Sequence, residues 1–234
     1  MEQMDFQSTL SEIRPHLDLC CWNAPDASAL IQAAALAAQF ELRRISVDAS
    51  SVASVWSWLE KSRVALSAMV AWNSDKADAA ALARDITAPL KRGADSVQLF
   101  VRWKDLPKAA EALREIKSEI FFDKKLSVAL SLDEAPYDGW PAAFDCMDDL
   151  AADNIMLIAK NIKTAGQKYY SFLDALDAPR KWGIEVCVAS DAVKPLEDLY
   201  RLTNKMLPDG MNNLRMIVRP EFMKNFQAVE HEDL

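Results

Sequence analysis

Short apolar runs alternate along this chain with longer segments in which apolar residues recur every three or four positions. The runs cover 17–22, 43–48, 64–72, 96–102, 126–132, 155–160, 184–189 and 214–218. They are nearly continuous and rich in aliphatic or β-branched residues, as strands buried on both faces are. The segments between them, 26–40, 51–61, 76–91, 106–121, 141–152, 167–178, 193–206 and 220–229, have helical period and length. Pro stands at or near the first turn of several, at Pro25, Pro107, Pro141, Pro195 and Pro220. Its missing N–H costs nothing there. Eight strands alternating with eight helices predict parallel strands joined by helical crossovers. A closed (β/α)8 TIM barrel of the α/β class satisfies the count, with an open doubly wound sheet as the alternative.

The 234 residues suffice for one such domain over 1–234, with 1–14 an N-terminal extension and 230–234 a C-terminal tail. Lys and Arg total 27 against 35 Asp and Glu, a net charge of −8. Nucleic-acid binding rests on neutralising phosphates, so this acidic balance speaks against it. No apolar run reaches the roughly 20 residues of a spanning helix, and no basic amphipathic helix suggests a membrane surface. Residues 1–14 are polar and acidic, without the pattern of a signal peptide. Cys20, Cys21, Cys146 and Cys187 read as reduced thiols of a cytoplasmic protein. The two histidines, His16 and His231, lie near opposite ends, so no zinc site of standard spacing is expected. No metal or cofactor is expected, and whether the chain forms a homodimer is left open.

Function in such a barrel sits at the carboxyl ends of the strands. Trp22, Trp72 and Trp103 fall there. They read either as packing between strands and helices or as an aromatic mouth for a small ligand. Arg102, in step with Gln98 along one strand, is placed to bind an anion or to pair with Asp75 or Asp133. Ser131 and Ser190 are further candidate contacts. Lys160 and Lys163 end the sixth strand; a desolvated lysine there would be a Schiff-base nucleophile, a solvated one would not. The loops after strands seven and eight, where barrels commonly hold phosphate, contain no glycine, and Asp191 would repel the anion. Carboxylates at strand ends, Asp48, Asp133, Glu134 and Asp191, could hold a hard cation, but no spacing singles out a ligand set.

Several short stretches, in order, resemble the deoxyribose-phosphate aldolase family. They are Leu17-Asp18-Leu19-Cys20-Cys21-Trp22-Asn23, Arg44-Ile45-Ser46-Val47-Asp48, the third strand from Leu66 to Asn73, Gly93-Ala94-Asp95-Ser96-Val97, Ala152-Asp153-Asn154-Ile155 and Val193-Lys194-Pro195-Leu196-Glu197-Asp198. The resemblance covers most of the chain. It implies a class I aldolase barrel, in which a strand-six lysine forms an imine, a strand-seven lysine tunes it and a strand-four aspartate shuttles protons. Carried onto this sequence, those positions fall on Met156, Val188 and Gln98, and the paired phosphate-binding glycines on Asp191 and Ala192. Of the inner polar set Asp18 remains. Methionine forms no imine. The reading is therefore an aldolase-like pseudoenzyme that binds a small, sugar- or aldehyde-like molecule through Gln98, Arg102, Trp22, Trp72, Ser131, Ser190 and Asp191. The alternative is a class I aldolase, a carbon–carbon lyase, with a relocated lysine, Lys160, assisted by Asp18. Lys160 lies four residues beyond Met156 and so on the same face.

Overall fold

The structure is a computed structural model. It describes residues 11–75, 78–120, 123–136, 138–150, 152–160, 162–176, 180–188 and 193–223. Eight strands, β1 (Leu17–Cys21), β2 (Arg44–Asp48), β3 (Ala65–Trp72), β4 (Ser96–Val101), β5 (Lys125–Ser131), β6 (Asn154–Ala159), β7 (Gly183–Val188) and β8 (Leu214–Val218), pair in sequence order into a closed barrel. Every pairing is parallel, including the closure of β8 on β1. The predicted (β/α)8 architecture is present, and closure disposes of the open-sheet alternative.

Helices Ala27–Gln39, Val52–Leu59, Ala79–Lys91, Leu106–Ile120, Trp140–Asp149, Ile162–Ala175 and Val193–Met206 follow the first seven strands. A further helical segment opens at Pro220. Asp26 and Asp78 cap two of the helices by accepting from the N–H groups of Ala29 and Ala81, at 2.9 and 2.7 Å; such caps satisfy donors that the first turn leaves unpaired. Their apolar faces pack on the outward row of each strand, where Leu19, Ile45, Val97, Leu99, Val128, Leu157 and Val186 are buried. Even Ile13, in the expected N-terminal extension, belongs to this core.

Two of the family-like stretches prove to be joints of the barrel. The carboxylate of Asp95, just before β4, accepts from the N–H of Leu66 on β3 at 2.8 Å. Asp153, just before β6, does the same for Leu126 on β5, also at 2.8 Å. Each aspartate continues the sheet ladder beyond the strand that follows it. In the first stretch Gly93 has φ +111°, and a Cβ there would lie 2.4 Å from the Trp56 ring, so the turn requires glycine. These residues explain a shared fold, not a shared reaction.

Candidate functional site

Alternate strands contribute the four side chains of each layer inside an eight-stranded barrel. Following the strand register from the amino end gives Arg44, Ser96, Asn154 and Arg215, then Asp18, Ser67, Ser127 and Glu185. The third layer is Ser46, Gln98, Met156 and Ile217, and the fourth Cys20, Met69, Ala129 and Cys187. Asp48, Phe100, Ile158 and Arg219 then lead to the mouth. Polarity falls abruptly along this axis: the first two layers are wholly polar, the fourth apolar and sulfur-bearing.

The lower layers form one network. Glu185, with no exposed surface, accepts from Arg44 Nη1 at 2.8 Å, Ser127 Oγ at 2.9 Å and Gln98 Nε2 at 3.0 Å. Asp18 is held by Arg215, through Nε at 3.1 Å and through Nη2, and lies 2.8 Å from Arg44 Nη2. Arg215 also donates to the carbonyls of Pro15 and Leu17. Burial alone would lower the Arg44 pKa, but the charges of Glu185 and Asp18 reverse this and push it above its ordinary value. Ser46 donates to the Gln98 carbonyl oxygen, and Trp22 Nε1 donates to Ser46 at 2.7 Å. A cavity of about 640 Å3, lined by Arg44, Ser96, Asn154 and Arg215 among others, opens beneath the network at the amino end. In barrels of this kind that face serves stability.

Of the residues expected from sequence, Asp18 and Gln98 do face the lumen. Both are buried and bound within the network, Gln98 in the layer of Met156 and Asp18 in the layer below it. Met156 has no exposed surface and packs with Cys20, Ala129, Cys187 and Ile217. The strand-seven position needs correction. A side chain that tunes a lumen amine must face the lumen, yet Val188 packs with the helix-facing core, while Cys187 stands in the inner cluster. By strand alternation the counterpart of the second lysine is Cys187.

At the mouth, Trp22 and Ile158 are half-buried over the cluster. Lys160 lies one residue beyond β6, at the parity of Met156 and Ile158, and is exposed, its backbone N–H donated to Asp133 Oδ2 at 2.7 Å. No described lysine side chain is buried. Ser131 is buried in the inward row of β5. The three tryptophans do not form one ring: Trp72 lies on the outward row of β3 within the helix-facing core. Trp103 donates to the Ser131 carbonyl at 2.6 Å and meets Trp140 edge-on at 4.9 Å. Ser190 and Asp191 lie outside the described residues, as does Ala192, and the side chain of Lys163 is not described.

Arg102 makes the pairing with Asp75, at 2.9 Å, and adds Asp105 at 2.5 Å and Asn73 at 2.7 Å. Burial acts to raise the Asp105 carboxyl, but hydrogen bonds from Ser74 and Arg102, with the guanidinium charge, bring it below its ordinary value. A depressed folded-state pKa contributes stability above the unfolded value, and that stability is lost as pH falls through the folded one. Asp105→Asn should therefore destabilise the protein at neutral pH, with the gap from the parent closing below about pH 4. Urea unfolding at pH 7 and pH 3 checks this; an unchanged gap would show that Asp105 acts through packing alone.

No family model and no curated protein matches this sequence. Solved structures do. The tetrameric deoxyribose phosphate aldolase of Aeropyrum pernix superposes with a TM-score of 0.79 at 11% identity, over 99% of this chain and 96% of that one. A provisionally assigned deoxyribose-phosphate aldolase from Toxoplasma gondii gives 0.77 at 15% identity, over 99% and 97%. The fold is that of the deoxyribose-phosphate aldolases. Oxaloacetate acetylhydrolase, solved with oxalate, is also similar at a TM-score of 0.57 and 9% identity, over 99% of this chain and 84% of that one, so the barrel alone does not select a reaction. Among the described residues no three His, Cys, Asp or Glu side chains converge, and no helix is long and apolar enough to cross a membrane.

Sequence reasoning missed Arg44, Arg215 and Glu185. A signal was present: Glu185 and Arg215 are charged residues inside otherwise apolar strands, and Arg44 opens β2 in step with Ser46.

Proposed function

We propose that this chain is a small-molecule-binding barrel of aldolase fold that works without Schiff-base chemistry. The observation that carries the reading is Met156, sealed in an apolar cluster where an imine-forming amine would stand, with Cys187 rather than a second cation beside it. An amine is needed both as nucleophile and, nearby, as the charge that keeps the nucleophile neutral. A ligand entering from the carboxyl end would meet Trp22, Asp48, Phe100, Ile158, Lys160 and Arg219. Gln98 and Asp18 lie beneath, as supports. Ser190 and Asp191 belong to the same rim in this reading. The protein is taken as cytoplasmic, with a self-associated state that sedimentation would measure.

Incubation with a small aldehyde and borohydride should leave the mass of the chain unchanged, and 2-deoxyribose 5-phosphate should not be cleaved. Lys160 favours the one competing reading, since it continues the inward row of Met156 and Ile158. An adduct abolished by Lys160→Ala, or turnover of 2-deoxyribose 5-phosphate, would overturn the proposal in favour of a relocated lysine. Quenching of Trp22 across a metabolite panel, lost in Trp22→Phe, would identify the ligand.

A further inference from the structure

The position at which the family resemblance implies the imine-forming lysine is Met156, and the lumen-facing residue next to the second implied position, Val188, is Cys187; both carry sulfur. They are not isolated. Three of the four side chains in the fourth layer, Cys20, Met69 and Cys187, bear sulfur, and the fourth is the small Ala129. Met156 lies in the layer directly below. Cys20, Met156 and Cys187 pack in one buried cluster, and the half-buried Met69 closes against it from β3. Cys20 and Cys187 are nearly fully buried within it, at 3% and 5% exposed. A lumen layer is ordinarily filled by Val, Ile and Leu; this one gathers two of the chain's four cysteines and a methionine into a single layer of four.

We propose that this sulfur cluster is a binding site for Cu(I), held by the Cys20 and Cys187 sulfurs with a thioether from Met156. The inference rests on reading the lumen as one without imine chemistry. Thiolate and thioether donors together select a soft, low-coordinate cation. Zn(II) wants four nitrogen, oxygen or anionic sulfur donors in a tetrahedron, and the cluster offers two. Binding is an exchange without redox change: Cu(I) displaces the Sγ proton of each cysteine, two protons pass to solvent, and the two-thiolate unit is left with one negative charge. The neighbouring Cys187 and burial hold the Cys20 thiol well above its ordinary value, so the cation must displace its proton; the charge of Arg219, one layer above, acts in the opposite sense. Half-buried Met69 and Trp22 mark the way in from the mouth.

The full-length chain, reduced and kept free of oxygen, would be titrated with Cu(I) against a chromophoric Cu(I) chelator. One Cu(I) per chain should resist the chelator, with sulfur-to-copper absorption in the near ultraviolet. Cys20→Ser and Cys187→Ser should each abolish the site, and Met156→Leu should weaken it at least about tenfold. Cys21→Ser and Cys146→Ser change thiols outside the cluster and should leave it intact. Circular dichroism establishes folding for each variant, and Cys20→Ala/Cys187→Ala repeats the test without new hydroxyls. The proposal is overturned if no Cu(I) survives the chelator, if a folded double variant still binds, or if Zn(II) competes on equal terms. Aldehyde trapping on the same samples separates the two readings. An adduct on Lys160 refutes the non-imine barrel whatever the copper result, and absence of Cu(I) binding refutes only the metal site.

Discussion

Glu185→Ala should lower the stability of this barrel by about 3–5 kcal/mol, because it leaves a buried guanidinium without its counter-charge. Arg44 would retain only the ion pair to Asp18, and Ser127 and the Gln98 amide would lose their acceptor. For a domain of this size the melting temperature should drop by roughly 6–20 °C. The size of the effect reflects stranded charge, not the net worth of the pair. Forming a buried ion pair costs desolvation on both sides, and apolar replacements of both partners are often tolerated. Arg44→Met/Glu185→Leu should therefore cost less than Glu185→Ala alone. Chemical denaturation of the three variants measures this. A Glu185→Ala protein as stable as its parent, or a double variant that loses the sum of the single losses, would show that the network is not the cooperative unit described.

The network also explains why the site was only partly legible in the sequence. The strands were readable because burial on both faces leaves an apolar run, and their observed bounds differ from the expected ones by a residue or two. The helices were readable from period and proline. Lys160 stands at the parity of Met156, one residue beyond the end of β6, and two-residue alternation is a local property. Val188 was misplaced because it was assigned by likeness to a family pattern; counting by twos from Glu185, a charge that must face the lumen, selects Cys187. The layers themselves were not readable. They depend on strand tilt and on which residues of different strands reach the same height, and no local pattern encodes either. Trp72 illustrates the same limit: its place at a strand end suggested the mouth, while its parity sends it to the helices. Arg102 shows the opposite case, where one of two expected partners, Asp75 rather than Asp133, is the one found, because loop charges near a strand end have few other partners.

Met156→Lys should not recover imine chemistry by itself. Met156 is the register partner of Glu185 on β7, so a lysine there would stand beside a carboxylate, with the thiol of Cys187 and no second amine nearby. An adjacent carboxylate favours the ammonium form, and a protonated amine does not attack a carbonyl. The new cation would also compete with Arg44 for Glu185 and enter a fully buried position, so a stability loss of several kcal/mol is expected. Intact-mass analysis after borohydride and a small aldehyde at pH 7 should show no adduct. Met156→Lys/Glu185→Gln should behave differently. Its lysine would be desolvated without a counter-ion, and the Arg44 guanidinium, freed of Glu185, would add a positive field. Both act to lower the amine pKa, so a borohydride-fixed adduct should appear at neutral pH and map to position 156. Efficient labelling of the single variant would mean that Glu185 does not govern the charge state of this layer. What separates this lumen from an imine-forming one is then not the loss of one lysine but the sign of the field around its position.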